Sequence, residues 1–345
     1  MLVCGLALLA ALLAQIGPER VASLLVALGG SLLAIAAIFT GHECVRAAAV
    51  SLCFPPGPRP HFRQLLRIRL LGEAAGALTR TGSFVAEPAR AWMLASHAAD
   101  GAHGVGAAAG ELLANSCVSA LVTVMALGWT TWRGVLHGPL FVLSQILLWA
   151  SAGYISIVVA AIVTRTRVVG AIAGAAAALP RLGRRLSVNA IKIRQAEDAT
   201  VRALTAHPAA LGHVLLLELL AQSILVFEIY WTVRSMGLTM SGGTALQLEA
   251  LTKAANVIQL IGVTEAGYAL VLDWFGMTAA VGFALSLAKT LRSLVAAAVG
   301  LGVLAQIERR TQPCGFIYPV ALQRRNRARL RRLSLRNLRG TVRQQ

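Results

Sequence analysis

The stretch GTALQLEALTKAANVIQLIGVTEAGYALVLDWFG, residues 243–276, decides how this chain is organised. It is largely apolar, but it contains one carboxylate, that of Glu265, between the two glycines Gly262 and Gly267. The part from residue 265 to residue 276 is about twelve residues long. As a helix it would reach about 18 Å, which is too short for a hydrocarbon core of about 30 Å. The stretch therefore predicts a re-entrant helical hairpin, which enters a membrane and leaves on the same side.

The composition predicts that most of the chain lies in a membrane. Only 13% of the 345 residues are charged and the mean hydropathy is +0.69, whereas soluble chains carry about 25% charged residues. Apolar stretches near the roughly 20 residues of a spanning helix recur along the chain. The predicted spans are residues 2–16, 21–54, 104–129, 139–163, 209–236 and 278–306. We expect an all-α polytopic membrane protein with about six full transmembrane helices plus two re-entrant helical hairpins.

The positive charge lies in segments that flank these spans. The formal net charge is +18, and residues 309–345 hold eleven Arg and no acid. Further basic segments run over residues 165–202 and 59–69. This is the positive-inside pattern, which predicts that these segments and both termini are cytoplasmic. The tail has only Phe316 and Tyr318 as aromatic residues, so we expect no nucleic-acid partner.

The number of crossings between cytoplasmic segments predicts the first hairpin. Between residues 60 and 165, two full spans already make an even number of crossings. Residues 70–98 should therefore enter and leave on one side. We call residues 70–98 hairpin one and residues 243–276 hairpin two.

The two halves of the chain then follow the same order of span, span, hairpin, span, with opposite starting sides. Inverted repeats with broken helices are a transporter architecture. An abundance of Arg and Ala with almost no Lys is typical of bacterial chains of high GC content, so we expect the bacterial cytoplasmic (inner) membrane. The predicted division is a transmembrane domain over 1–307 with halves of about 1–138 and 139–307, a cytoplasmic basic linker over 165–208, and a basic cytoplasmic tail over 308–345.

Ionisable side chains in the apolar regions gather around the two hairpins. Such groups are costly at membrane depth and usually face a cavity or a partner. We expect a polar cavity lined by both hairpins that holds the headgroup of a lipid. The candidate headgroup and translocation residues are Glu87, Arg90, Glu111, Gly262, Glu265, Gly267, Lys289 and Arg292.

The roles follow from charge. Arg90 and Arg292, with Lys289, would engage a phosphate, while the acids would hold these cations or exchange protons. Helix starts at Pro88 and Thr264 would add positive dipole ends. The alternative is that these side chains are structural ion pairs that lock the hairpins.

Other charges in the apolar regions receive simpler interpretations. The pair Glu43 and Arg46 is expected at the membrane interface, with the side chains reaching toward the headgroups. No role is assigned to the carboxyl groups of Glu218, Glu228 and Asp273.

The sequence does not favour catalysis. The seven His are scattered, and no zinc-protease, nucleophile-elbow or phosphate-loop motif is present. The five Cys form no CxxC pair. We therefore expect no enzymatic activity, no cofactor and no metal site.

Several short motifs resemble those of one known family. GVTEAGYALVLDWFG followed by AKTLRSL looks like the C-terminal signature of the lysylphosphatidylglycerol synthase transmembrane-region family, which includes flippase-like integral membrane proteins and hopanoid-cluster members. FVAEPARAWML and ELLAN are similar to its upstream motifs. Three positions depart from its pattern, with Ala86 in place of Gly, Leu112 in place of Arg and Asn115 in place of Asp.

The resemblance implies that this chain moves a lipid across a bilayer. Members that attach an aminoacyl group to phosphatidylglycerol use a separate soluble domain, and no such domain is predicted in these 345 residues. The lipid class stays open among anionic phospholipids, hopanoids and isoprenoid-linked lipids. Alternatives are an accessory or scaffold component that recruits lipid- or hopanoid-biosynthesis proteins, and an intramembrane lipid transferase.

Overall fold

The computed structural model describes residues 11–310, apart from residues 12, 56, 58, 80–82, 99, 135–137, 165–207 and 258–262. These described residues are almost entirely helical and contain no strand. The helices are α1 (Pro18–Leu28), α2 (Ser31–Cys53), α3 (Phe62–Thr79), α4 (Ser83–His97), α5 (Gly101–Trp132), α6 (Gly138–Thr164), α7 (Pro208–Ser235), α8 (Gly242–Val257), α9 (Val263–Trp274) and α10 (Ala279–Arg310). The all-α prediction is confirmed for this part of the chain.

Five of the described helices are long and apolar enough to cross a membrane. They lie in α2, α5, α6, α7 and α10, at Ser31–Cys53, Gly101–Trp132, Phe141–Ala161, Ala209–Ser235 and Ala279–Val299. This set of helices is typical of a multi-pass membrane protein, and each matches a predicted span. The predicted first span, 2–16, lies mostly outside the described residues.

The predicted long span 21–54 is wrong as a single helix. The chain breaks between α1 and α2 at Gly29, where φ is 36°, a left-handed value that glycine adopts most readily. The second piece, α2, has 23 residues and a length of about 34 Å, which is enough to span a hydrocarbon core without the first.

Hairpin one consists of α3 and α4 and begins at Phe62, earlier than predicted. Arg90 of α4 pairs with Glu73 of α3, so residues on either side of the break face each other. The expected helix start at Pro88 is wrong, because α4 begins at Ser83 and contains Pro88 in its interior. The positive end of this helix therefore lies more than one turn before Pro88.

Hairpin two consists of α8 and α9. Its second arm has 12 residues, about 18 Å, which is the short length predicted. The helix is described from Val263, directly after residues 258–262, so Thr264 lies in the first described turn, close to the predicted helix start. Gly262, a predicted site residue, lies outside the described residues.

Two glycines allow helices to approach closely. A Cβ atom added at Gly104 of α5 would lie 2.5 Å from the carbonyl oxygen of Leu94 in α4. One added at Gly282 of α10 would overlap the carbonyl oxygen of Tyr268 in α9. Each hairpin is therefore pressed against the following long helix at a point where no side chain fits.

The packing centres on α2 and α7, which run along each other. One apolar core joins α2, α3, α4 and α5, and includes Val214 from α7. A second joins α7, α8, α9 and α10, with residues from α1, α2 and α5. Residues 1–301 form one compact unit, and of the second unit, which starts at Gly302, only the end of α10 is described.

Candidate functional site

Charged side chains from five helices meet beside hairpin one. We call this set the hairpin-one network, and most of its members are buried although they lie among apolar helices. Its members are Glu43 and Arg46 of α2, Arg69 and Glu73 of α3, Glu87 and Arg90 of α4, Glu111 of α5 and Glu218 of α7.

Two arginines and two glutamates form the densest part of this network. Nε of Arg69 donates to Oε2 of Glu43 at 2.9 Å, and Nη1 of Arg69 donates to Oε1 of Glu111 at 3.0 Å. Nε of Arg46 donates to the same oxygen of Glu111 at 2.8 Å. One carboxylate oxygen therefore receives hydrogen bonds from two guanidinium groups, which joins α2, α3 and α5.

Arg90 forms the outer part of the network. It is hydrogen-bonded to Glu87, three residues before it, and to Glu73 across the hairpin. The predicted pairing of Glu87 with Arg90 is thus present. Gly72 makes room for this arginine, because a Cβ atom at Gly72 would lie 2.5 Å from Cγ of Arg90.

A small cavity lies inside the network. Its lining includes Arg69, Arg90, Glu87 and Glu111, together with apolar side chains such as Leu94. Its volume is about 10 Å³, room for about one water molecule and not for a phosphate group. Within the described residues, Nη2 of Arg69 and Nε of Arg90 have no hydrogen-bond partner. The cavity is therefore lined by cations that retain donor capacity.

A second set of charges lies beside hairpin two. We call it the hairpin-two group, and its polar members are Glu228, Glu249, Lys253, Tyr268, Lys289 and Arg292. Nζ of Lys289 donates to the Tyr268 hydroxyl at 3.1 Å and lies 3.5 Å from Oε2 of Glu249. The close approach of α9 at Gly282 holds Tyr268 where it meets this lysine.

Lys253 lies on the same helix as Glu249 but faces α7. Its Nζ donates to Oε1 of Gln222 at 3.1 Å, and Nε2 of Gln222 donates to Oδ1 of Asn115 at 3.0 Å. Asn115 is one of the departures from the family pattern. Its amide therefore links α5 to Lys253 of hairpin two through the amide of Gln222.

Arg292 pairs with Glu228 of α7 rather than with an acid of hairpin two. Its guanidinium carbon also lies 4.1 Å from the centre of the Phe39 ring of α2, a cation–π contact. Phe39 stacks on His42, whose Nδ1 lies 3.1 Å from Oε1 of Glu43. These contacts connect Arg292 to the hairpin-one network through α2.

Glu265, the acid that the sequence singled out, is buried in the first turn of α9. A carboxylate in the first turn of a helix is stabilised by the positive end of the helix dipole. Gly267 lies half-buried in the same helix. Of the predicted residues, the structure brings Glu87, Arg90 and Glu111 to one cavity, and it places Lys289 and Arg292 in the other group.

Sequence reasoning misjudged three charged positions. Glu43 and Arg46 are buried in the hairpin-one network, so the expectation of an interfacial pair is wrong. Arg69 was grouped with cytoplasmic arginines, yet it is 3% exposed, whereas Arg63 and Arg67 on the same helix are exposed. The sequence does contain a signal for the burial of Arg69, because this residue lies within an apolar run, one turn before Gly72.

Two further acids had no assigned role. Glu218 and Glu228 are fully buried in α7, where they face Arg46 and Arg292 respectively. Single charges within an apolar span usually have a partner, and this signal was present in the sequence. Their partners could not be identified, because the contacts join residues far apart in the chain.

Compared with known protein families, curated proteins and solved structures, the chain has no match. Within the described residues, no three His, Cys, Asp or Glu side chains come together in a way that would hold a metal ion. The site therefore has to be interpreted from its own geometry.

Proposed function

We propose that this protein moves a lipid with an anionic headgroup from one leaflet of a membrane to the other, without chemical change to the lipid. The observation that carries the proposal is the cavity lined by Arg69 and Arg90, two buried cations that keep unused donor groups. A phosphate has the charge and the acceptor oxygens that such guanidinium groups bind best.

The burial of these charges supports a functional role over a purely structural one. Buried ion pairs are often no more stabilising than apolar residues of similar volume. Eight ionisable side chains in one network are therefore expensive as a means of holding helices together, and intramembrane charges commonly mark a substrate path. The side chains of Glu73 and Glu87 are 26% and 18% exposed, so the network reaches the surface at hairpin one.

In this arrangement the cavity is too small to hold a lipid headgroup. A headgroup requires more space than one water, so transport requires hairpin one to move away from α5. The point that holds it there is the contact between Gly104 and the backbone of Leu94. Hairpin two contacts α5 as well, and as the counterpart in an inverted repeat it would open the path on the opposite side.

The test is lipid exchange between leaflets in vesicles that contain the purified protein. The probe is phosphatidylglycerol labelled on one acyl chain, and a membrane-impermeant reductant destroys the label in the outer leaflet only. Wild-type protein should make the inner label accessible. Arg90→Gln should slow this exchange at least about tenfold, since a charge-assisted hydrogen bond contributes about 1.5–3 kcal/mol.

Arg63→Gln is the matched control, because Arg63 is exposed on hairpin one and belongs to no buried pair. It should exchange lipid at the wild-type rate. Equal rates for wild type and Arg90→Gln, with both proteins folded, would remove the site from the proposal. No exchange by wild-type protein alone would favour an accessory role instead.

A further inference from the structure

Glu218 differs from the other acids of the hairpin-one network in its contacts. It lies in the middle of α7, it is 0% exposed, and the residues around it in the helix are apolar. Its nearest cationic atom is Nε of Arg46, at 3.6 Å from Oε2, which is beyond hydrogen-bond distance. Among the described residues, neither of its oxygens has a hydrogen-bond donor.

Among the innermost residues, carboxyl groups outnumber guanidinium groups by one. Arg69 and Arg46 are engaged by Glu43 and Glu111 at 2.8–3.0 Å. These two arginines and two glutamates balance each other, and Glu218 is the third carboxyl. A buried carboxylate without a donor is far more costly than the neutral acid, and the neighbouring carboxylate of Glu111 opposes a further negative charge.

The titratable and charged groups that act on Glu218 come from α2, α3 and α5. Arg46 and Cys53 face it from α2, and Glu111 faces it from α5. Arg69 of α3 acts on it from further away. On the side of α8, Lys253 is bonded to Gln222, one turn along α7.

The remaining neighbours do not change the charge count. In α1, Glu19 and Arg20 are exposed. His42 can also take up a proton near the network, and its hydrogen bond is to Glu43. Arg46 is thus the closest cation to Glu218, and it already donates a hydrogen bond to Glu111.

We propose that Glu218 is a proton-binding site, which holds a proton in this arrangement and exchanges it as the lipid moves. A headgroup phosphate that binds Arg69 and Arg90 would add negative charge to a network that already has an excess of carboxyls. Binding of the anion therefore favours a bound proton, so the two ligands would travel together. This coupling rests on the proposed function, whereas the protonation of Glu218 does not.

Infrared spectroscopy tests the protonation directly, because a protonated carboxyl has a carbonyl stretch that a carboxylate lacks. The samples are wild-type protein and Glu218→Gln in lipid nanodiscs at neutral pH. The difference spectrum should show the loss of one protonated acid. Loss of carboxylate bands alone would show that Glu218 is ionised and would overturn the proposal.

Glu228→Gln is the matched control, because Glu228 is equally buried in the same helix but its carboxylate directly contacts Arg292, a cation that no other acid in the described residues pairs with. It should lose carboxylate bands and keep the acid band. If Glu218→Gln does not fold, Glu218→Asp serves in its place, since it keeps an acid but should shift the frequency of the band. An unshifted band in Glu218→Asp would contradict the assignment.

The coupling is tested by lipid exchange with and without a pH difference across the vesicle membrane. Wild-type exchange of labelled phosphatidylglycerol should change several-fold with the gradient, and Glu218→Gln should exchange lipid at a rate that the gradient does not alter. A wild-type rate that ignores the gradient would overturn the coupling even if the acid band is present. A complete absence of exchange would overturn the proposed function, and the infrared result would still decide the proton site.

Discussion

Hairpin one and hairpin two are both broken helix pairs, but they hold charge in different ways. In the hairpin-one network, three arginines are shared among five glutamates. In the hairpin-two group, Lys289 and Arg292 have separate acid partners, and Lys253 is bonded to an amide. Shared cations tie several helices together and leave an excess of acid, whereas separate pairs can be broken one at a time. For this reason we place the proposed headgroup site at hairpin one, whereas the hairpin-two group consists of separate pairs.

The largest expected effect comes from removing a shared cation. Arg69→Met should lower the free energy of unfolding by about 3–5 kcal/mol, because Glu43 and Glu111 both lose a buried partner. The measurement is thermal or denaturant unfolding of the detergent-solubilised protein. Arg67→Met, an exposed position on the same helix, should change the stability by less than about 0.5 kcal/mol. Similar losses of stability in both variants would mean that Arg69 is not needed as the shared partner of Glu43 and Glu111.

A smaller effect is expected where hairpin one packs on α5. Gly104→Ala places a methyl group against the backbone of Leu94, which cannot move like a flexible side chain, and should cost about 1–3 kcal/mol. Gly128→Ala on the same helix is the control, because its Cβ atom would lie 3.9 Å from a Leu148 methyl group, an ordinary contact. Unfolding measurements that rank Gly128→Ala as the more harmful change would contradict the packing.

The smallest effect should come from hairpin two. Tyr268→Phe removes the hydroxyl that accepts from Lys289 but leaves Glu249 as a partner. The expected loss of stability is about 1.5 kcal/mol, the low end of the range for a hydrogen bond to a charged group, because Glu249 still pairs with Lys289. A loss as large as that of Arg69→Met, measured in the same unfolding assay, would show that the two hairpins hold charge in the same way.

The sequence predicted the parts of the molecule that depend on local pattern. The short helix α9, the separation of α3 from α4 and the pairing of Glu87 with Arg90 all follow from spacing along one or two helices. The buried roles of Arg69, Glu218 and Glu228 could not be predicted in the same way. Each depends on which face of a nearly uniform apolar helix turns inward, and that is determined by tertiary packing.

Local signals also failed where two of them competed. Pro88 was taken as a helix start because proline is favoured in the first turn, yet the helix continues through it from Ser83. Gly29 and Gly30 break the predicted span 21–54, although the apolar run there is continuous. Pro88 therefore does not set a helix boundary, whereas the break at Gly29 has a local cause in the left-handed φ of that glycine.

The most direct test of the central claim is the headgroup selectivity of lipid exchange by the wild-type protein. Vesicles should be prepared with either labelled phosphatidylglycerol or labelled phosphatidylcholine, which differ in net headgroup charge. We predict that the anionic lipid exchanges at least about tenfold faster, which corresponds to about 1.4 kcal/mol of preferential binding by the buried arginines. Equal rates for the two lipids would contradict a headgroup site lined by Arg69 and Arg90.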